Sequence, residues 1–283
     1  MSYSVLITGA GGMLGRSLCQ KFRDHKVFAM GRDELDVTSQ ESVLTNFQEL
    51  QPDVVIHCAA MTQVDDCETD QERAFEVNHL GALHVAQAAK QIKSRLIAIS
   101  TDYVFKGDAL TPYPEDAPTA PQTIYGQSKL AGERAVLDEY ADAIVARVAW
   151  LYGPGGPSFL HTMMRLGTAG GDPMQVVNDQ IGNPTSTLCV ANHIGLLLNS
   201  NIRGVVNLTC EGEATWFEFT RAIFEQVGIE RKVSACTSDA FPRPAPRPAN
   251  SRLENRVLVN ENIQEMPHWR EALNDFLKLH PEG

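Results

Sequence analysis

An α/β fold is predicted from the 283-residue sequence: a doubly wound parallel sheet with a smaller mixed α/β lobe behind it. Three observations carry it. Short apolar runs of strand length recur through the first half, segments with helical spacing separate them, and the rhythm loosens after about residue 151. Short continuous apolar runs suit strands buried on both faces, and their alternation with helices implies right-handed crossovers with helices covering both sides.

The first run, residues 4–8, leads straight into Thr8-Gly9-Ala10-Gly11-Gly12-Met13-Leu14-Gly15. Glycines at 9, 12 and 15 permit a tight turn, close approach of backbone amides to a pyrophosphate, and close packing of the helix that follows. With a strand before it and an amphipathic helix after it, the loop reads as a Rossmann-type dinucleotide site. The second strand, 26–30, ends at Gly31-Arg32-Asp33, followed by Leu35-Asp36-Val37. Arginine there pairs with a 2′-phosphate, whereas an acid hydrogen-bonds a free 2′-hydroxyl. Arg32 points to NADPH, and the acids beside it keep NADH open.

The third, fourth and fifth strands are expected over 53–58, 95–100 and 143–148. Between the third and fourth, Ala74, Val77, Leu80, Val85, Ala88 and Ala89 mark the buried face of a helical segment. Ser100-Thr101-Asp102-Tyr103 falls at the carboxyl end of the fourth strand. Between the fourth and fifth lie Tyr125 and Lys129, four residues apart. On a helix that spacing stacks them on one face, roughly 6 Å apart along the axis. A bare Tyr-x-x-x-Lys is common on surface helices, but beside a dinucleotide loop it acquires chemistry. A hydride given to a carbonyl carbon needs the oxygen's developing charge stabilised and then protonated. A phenol does this near neutral pH when a cation such as Lys129 favours its phenolate, and a second hydroxyl, Thr101 or Ser100, would hold the oxygen.

Beyond residue 151, Gly153 to Pro157 and the prolines at 242, 244, 246 and 248 punctuate the chain. The expected division is 1–150 as the dinucleotide-binding domain and 151–283 mainly as a substrate-binding lobe, with some segments returning to the core. Ligands would bind in the crevice at the carboxyl ends of the strands. With 24 basic and 35 acidic residues the net charge is −11, which argues against nucleic-acid and anionic-membrane partners. Six cysteines show neither a C-x-x-C pair nor zinc spacing, so free thiols in a reducing cytoplasm are expected. No leader-like segment and no run of about 18 apolar residues is present, which fits a soluble cytoplasmic protein.

Together the glycine loop, the Tyr125/Lys129 pair and the preceding hydroxyl resemble the extended short-chain dehydrogenases/reductases. Within them Ser-Thr-Asp-Tyr-Val-Phe-Lys-Gly (100–107), Tyr-Gly-Gln-Ser-Lys-Leu-Ala-Gly-Glu (125–133), Asp-Gln-Ile-Gly-Asn-Pro-Thr (179–185) and Arg-Pro-Ala-Asn-Ser-Arg-Leu (247–253) resemble the dTDP-4-dehydrorhamnose reductases, in the family's order over nearly the whole chain. The resemblance implies reduction of the C4 ketone of a dTDP-4-keto-6-deoxyhexose to give dTDP-L-rhamnose. It implies that Tyr125 is the proton donor, that Lys129 orients the nicotinamide ribose and lowers the tyrosine's pKa, and that Thr101 completes the triad.

The implied cofactor site comprises Gly9, Gly11, Gly12, Met13, Leu14, Gly15, Arg32, Asp36, Val37, Ala59, Ala60 and Asn78, with Tyr125 and Lys129. The implied substrate site comprises Thr101, Asp102, Tyr103, Trp150, Asn183, Arg247, Asn250 and Ser251. Trp150 would line the sugar pocket, where an indole stacks on a sugar's C–H face, and Arg247 would pair with the diphosphate. His57 stands where the family has asparagine, and Met61 replaces an aromatic. Some members hold magnesium between subunits through a glutamate on the first helix. Arg16-Ser17 occupies that place, so no metal is expected, and a homodimer stays open. Two other readings share these motifs: epimerases and dehydratases that retain NAD, and the non-catalytic NADP-binding regulatory subunit of methionine adenosyltransferase.

Overall fold

The computed structural model describes residues 3–171 and 173–281. Its centre is a parallel sheet built from β1 (Ser4–Thr8), β2 (Lys26–Met30), β3 (Val54–His57), β4 (Arg95–Thr101), β5 (Ile144–Val148) and an edge strand, Gly204–Asn207. Their order is edge strand, β5, β4, β3, β1, β2. Strand order reverses at β1, which pairs with β2 on one side and β3 on the other. A crevice opens at such a reversal, outside the carboxyl ends of the strands.

Both faces of the sheet are covered, as the near-continuous apolar runs require. Val5 and Ile7 of β1 point to one face, where they join Leu14 and Leu18 of the helix Met13–Lys21 and Val190 and Ile194 of the helix Thr187–Leu198. Leu6, between them in sequence, points to the other face, with Phe47 of the helix Gln40–Leu50, Val85 and Ala89 of Gly81–Gln91, and Val136 of Ile124–Glu139. This period-two division of one strand between two cores is what a sheet sandwiched by helices demands.

One predicted helix face is broken. Ala74, Val85, Ala88 and Ala89 are buried, but Leu80 is 42% exposed. The chain there makes a π-helical turn, Glu76–Leu80, between two α-helical stretches. The wider turn shifts the phase of the pattern, so Leu80 leaves the face that 3.6-residue spacing assigns it.

After β5 the chain builds the second lobe from three short ladders: Leu151–Tyr152 with Thr185–Ser186, Met174–Val177 with Val233–Cys236, and Ile181–Gly182 with Ala214–Thr215. The helices Phe159–Thr168, Trp216–Val227 and Trp269–Leu279 pack beside them. The intervening segment Thr187–Leu198 lies against the first helix, where the Ser17 and Thr187 hydroxyls are 2.7 Å apart, and the chain then adds the edge strand to the sheet.

A buried ion pair locks β5 to the helix that carries Tyr125. Arg147 donates from Nε and Nη2 to the two carboxylate oxygens of Glu133 at 2.8 and 2.7 Å, and both side chains are only 4% exposed. Glu133→Gln is expected to destabilise the fold by roughly 3–5 kcal/mol, because it leaves a guanidinium buried without its counter-charge. Chemical denaturation checks this, and a change below about 1 kcal/mol would show that water reaches the pair.

Candidate active site

At the reversal point β1 runs into the glycine loop. Gly9 takes φ of +64°, and a Cβ on it would stand 2.7 Å from the Ala59 amide nitrogen at the end of β3. A Cβ on Gly15 would stand 2.5 Å from the Gly9 carbonyl oxygen, so only glycine lets the helix Met13–Lys21 press against the loop. A cavity of about 560 Å³ opens there. Of the predicted cofactor residues, Gly9, Gly12, Met13, Leu14, Gly15, Arg32, Asp36, Val37, Ala59, Ala60, Tyr125 and Lys129 all line it. Backbone that a Cβ would fill, a helix N-terminus behind it, and the buried Ser100 hydroxyl, which lines the cavity with no protein partner, together fit a dinucleotide.

Gly11 and Asn78 lie outside that lining. The Gly11 carbonyl accepts from Arg16 Nε at 2.9 Å. Asn78 is buried in the π-helical turn, where Oδ1 accepts from the Met61 amide at 2.9 Å and Nδ2 donates to the Met61 carbonyl and the Ser128 hydroxyl, each at 3.0 Å. It therefore pins the loop after β3 to the helix of Tyr125. His57 also stays off the cofactor cavity, with Nδ1 2.8 Å from the Thr8 hydroxyl. Burial, reinforced by the charge on Lys129, lowers its pKa to about 3, so it is a neutral link between β1 and β3.

Thr123 caps the helix Ile124–Glu139, accepting from the Gly126 amide at 3.0 Å, and the helix turns Tyr125 and Lys129 towards the cavity. They are 9% and 7% exposed. Lys129 Nζ donates to the Ile99 carbonyl of β4 at 2.7 Å, and burial depresses its pKa to about 8. Burial raises the Tyr125 phenol above its usual range; a hydrogen bond with Thr101 pulls it down, and the charge of Asp102 pushes it up. Tyr125 and Lys129 line the same cavity. The Lys129 ammonium is engaged by the end of β4.

Thr101 and Asp102 stand behind the tyrosine, lining neither this cavity nor its neighbour. Thr101 Oγ1 donates to Asp102 Oδ1 at 3.0 Å and accepts from the Tyr103 amide at 3.3 Å. Burial raises the Asp102 carboxyl to about 6, against the pull of the Ser251 and Thr101 hydroxyls.

A second cavity, of about 830 Å³, lies across the Tyr103–Tyr125 pair, whose rings meet edge-on at 5.4 Å. Tyr103, Trp150, Arg247 and Ser251 of the predicted substrate set line it, with Phe159, Gln180, Trp216, Phe241 and Arg243 from the lobe. Trp150 adopts φ of +47° and stacks on Trp216, centroids 3.3 Å apart and planes 4° apart. Gly182 closes against the same indole, where a Cβ would come within 2.4 Å of Cε2. The Trp150 indole is therefore already covered by Trp216 and Gly182 rather than presented as an open face.

Arg247 reaches across to the other half of the molecule, with Nη2 2.8 Å from Asp65 Oδ2. Asn183 and Asn250 lie outside the lining, their amides engaged by backbone. Asn183 donates to the Gly212 carbonyl at 2.7 Å and accepts from the Leu253 amide at 2.8 Å. Asn250 donates to the Ala109 and Thr111 carbonyls at 2.8 and 2.9 Å.

Sequence reasoning missed Arg73 and Thr38 in the first cavity and Trp216 and Asp65 around the second. For Trp216 a usable signal existed: Thr215 and Glu218 form a capping box, which marks the helix start where it sits. For Arg73 there was none.

A family model described as RmlD substrate binding domain matches residues 3–280. The spore coat polysaccharide biosynthesis protein SpsK of Bacillus subtilis is 38% identical over 97% of this chain and 96% of its own length. The dTDP-4-dehydrorhamnose reductase of Mycolicibacterium smegmatis is 41% identical over 97% of this chain and 85% of its own. The crystal structure of Bacillus anthracis dTDP-4-dehydrorhamnose reductase in complex with NADP is similar with a TM-score of 0.96 at 35% identity, covering 99% of this chain and 100% of that one.

Proposed function

This chain belongs to the RmlD substrate-binding-domain family, and from that membership we propose that it reduces the C4 ketone of a dTDP-4-keto-6-deoxyhexose, converting dTDP-4-dehydro-L-rhamnose to dTDP-L-rhamnose with NADPH, or with NADH as the alternative donor. The observation that carries the reading is the placement of Tyr125. It lines the dinucleotide cavity while its ring touches Tyr103, which lines the second cavity with Arg247 and Arg243.

The nicotinamide cofactor, when bound, supplies the hydride that reaches C4. The chain supplies the rest. Tyr125, kept protonated at neutral pH by burial, gives its phenolic proton to the ketone oxygen, so hydride plus proton complete the alcohol. Thr101, by turning its hydroxyl proton from Asp102 Oδ1, then donates to the phenolate that remains, while Lys129 lends positive charge from the same cavity wall. Ser100 offers the hydroxyl without a protein partner. Arg247, with Arg243 near it, takes the diphosphate, exchanging the Asp65 carboxylate for a doubly charged ligand. Asn78, Asn183 and Asn250 act as positioning residues, since their amides hold the loops that line the two cavities.

The site of action we assign is the cytoplasm, in keeping with six free thiols. Among the described residues no helix is long and apolar enough to cross a membrane.

The test is consumption of reduced cofactor, followed by its absorbance, on addition of dTDP-4-dehydro-L-rhamnose generated in place. Stoichiometric oxidation that requires the sugar is expected. An epimerase or dehydratase would consume none, since it returns the hydride within each cycle. Tight binding of NADPH with no turnover on any 4-keto sugar would instead mark a binding subunit.

A further inference from the structure

The adenosine end of the first cavity carries a second guanidinium. Arg32, Asp36 and Thr38, from the segment after β2, line it together with Arg73 of the helix Gln71–Phe75. In dinucleotide sites an acid at this place accepts from the ribose 2′-hydroxyl, whereas arginine accommodates a 2′-phosphate. Two of the acids in this segment, Glu34 and Asp36, are engaged locally. Glu34 Oε2 accepts from the Gly31 amide at 2.9 Å, and Asp36 Oδ1 accepts from the amide and hydroxyl of Thr38 at 3.0 and 2.7 Å.

The two arginines converge from separate elements on one spot. After the Thr38 hydrogen bonds, the charges of Arg73 and Arg32 both hold the Asp36 carboxyl below its usual range. Among the described residues no ion pair engages Arg32, while Arg73 Nη1 meets Glu76 Oε2, the two side chains 28% and 42% exposed. A partly exposed pair of this kind is weak, and a phosphate dianion competes well for the same planar donors.

We propose that Arg73 reads the 2′-phosphate of the cofactor together with Arg32, and that Glu76 tunes this reading by competing for the Arg73 guanidinium. The inference rests on the dinucleotide reading of the cavity. It makes preference for NADPH a property of two chain segments: Arg32 follows β2, and Arg73 precedes the π-helical turn that carries Asn78. Glu76 acts through Arg73 and touches no ligand.

The test is calorimetric titration of the full-length protein with 2′,5′-ADP and with 5′-AMP, which differ only in the 2′-phosphate. Arg73→Gln is expected to weaken 2′,5′-ADP by about tenfold, the worth of one charge-assisted contact, and to leave 5′-AMP within about twofold. Glu76→Gln is expected to tighten 2′,5′-ADP severalfold and leave 5′-AMP unchanged, and it carries the test if Arg73→Gln folds poorly. The ratio of NADPH to NADH dissociation constants should move in the same directions. Equal weakening of both nucleotides would make Arg73 an adenine contact and overturn the proposal, as would no change in either variant. If the parent binds neither nucleotide, the dinucleotide reading itself falls. Binding of both by the parent without a selective effect overturns only the role of Arg73.

Discussion

Tyr125→Phe is expected to lower kcat by about 10²–10⁴-fold while leaving the NADPH dissociation constant within about twofold. Only the hydroxyl is removed. The aromatic ring still fills its buried place and still meets Tyr103 edge-on, so the walls of both cavities keep their shape. What is lost is the proton donor and the Thr101 hydrogen bond that favours its phenolate. Steady-state turnover with a cofactor-binding control separates the two quantities. A loss of less than about tenfold would mean that the proton comes from elsewhere.

Lys129→Met should show the opposite signs in activity and stability. Turnover is expected to fall by at least about 10²-fold, since a cation on the same cavity wall as the phenol disappears. Stability at pH 7 should rise. The ammonium titrates at about 8 in the folded protein against 10.5 for the ordinary group, so between those values the unfolded chain binds a proton that the folded chain does not. Wild-type stability therefore increases with pH across that window, and below about pH 8 the folded state carries the full cost of a buried charge. Removing the charge gains roughly 3 kcal/mol at neutral pH, because a tenfold change in proton affinity is worth about 1.4 kcal/mol. The Ile99 carbonyl, left without its donor, takes back ~1 kcal/mol. Thermal unfolding at neutral pH and again in alkali, above the ordinary lysine range, tests the sign. The variant should be the more stable at neutral pH and lose that advantage in alkali. Lower stability at both would show that the ammonium supports the fold.

Strands β1 to β5 were legible because each is an apolar run too short for a helix and flanked by turn residues. The observed bounds, such as Val54–His57 within the expected 53–58, differ by a residue or two at most. The edge strand Gly204–Asn207 was not, since four residues beginning with glycine and ending with asparagine carry no periodicity. The lobe's two-residue strands are silent for the same reason. Of the site, the Tyr125/Lys129 pair and the glycine loop were readable because their chemistry depends on spacing along one element. Arg73 was not, because it reaches the cavity from an element whose placement only tertiary structure decides; the capping box at Thr215 marks where the helix of Trp216 starts but not which cavity it meets. Asn183 and Asn250 sit in recognisable segments, yet nothing in those segments distinguishes an asparagine that meets a ligand from one that holds a loop.

The edge strand also governs the order in which the molecule can be completed. Ile144 of β5 lies beside Gly204, and everything between them belongs to the lobe or to the helix that returns from it. Each βαβ unit from β1 to β5 closes a comparatively short loop, but this last pairing confines a long one, and contacts of that kind tend to form late. Until it forms, the outer backbone of β5 offers unpaired amides and carbonyls to any other extended chain. During synthesis, then, the half that carries β1 to β5 can emerge nearly whole and still present a sticky margin, which is sealed only after the lobe has followed it out.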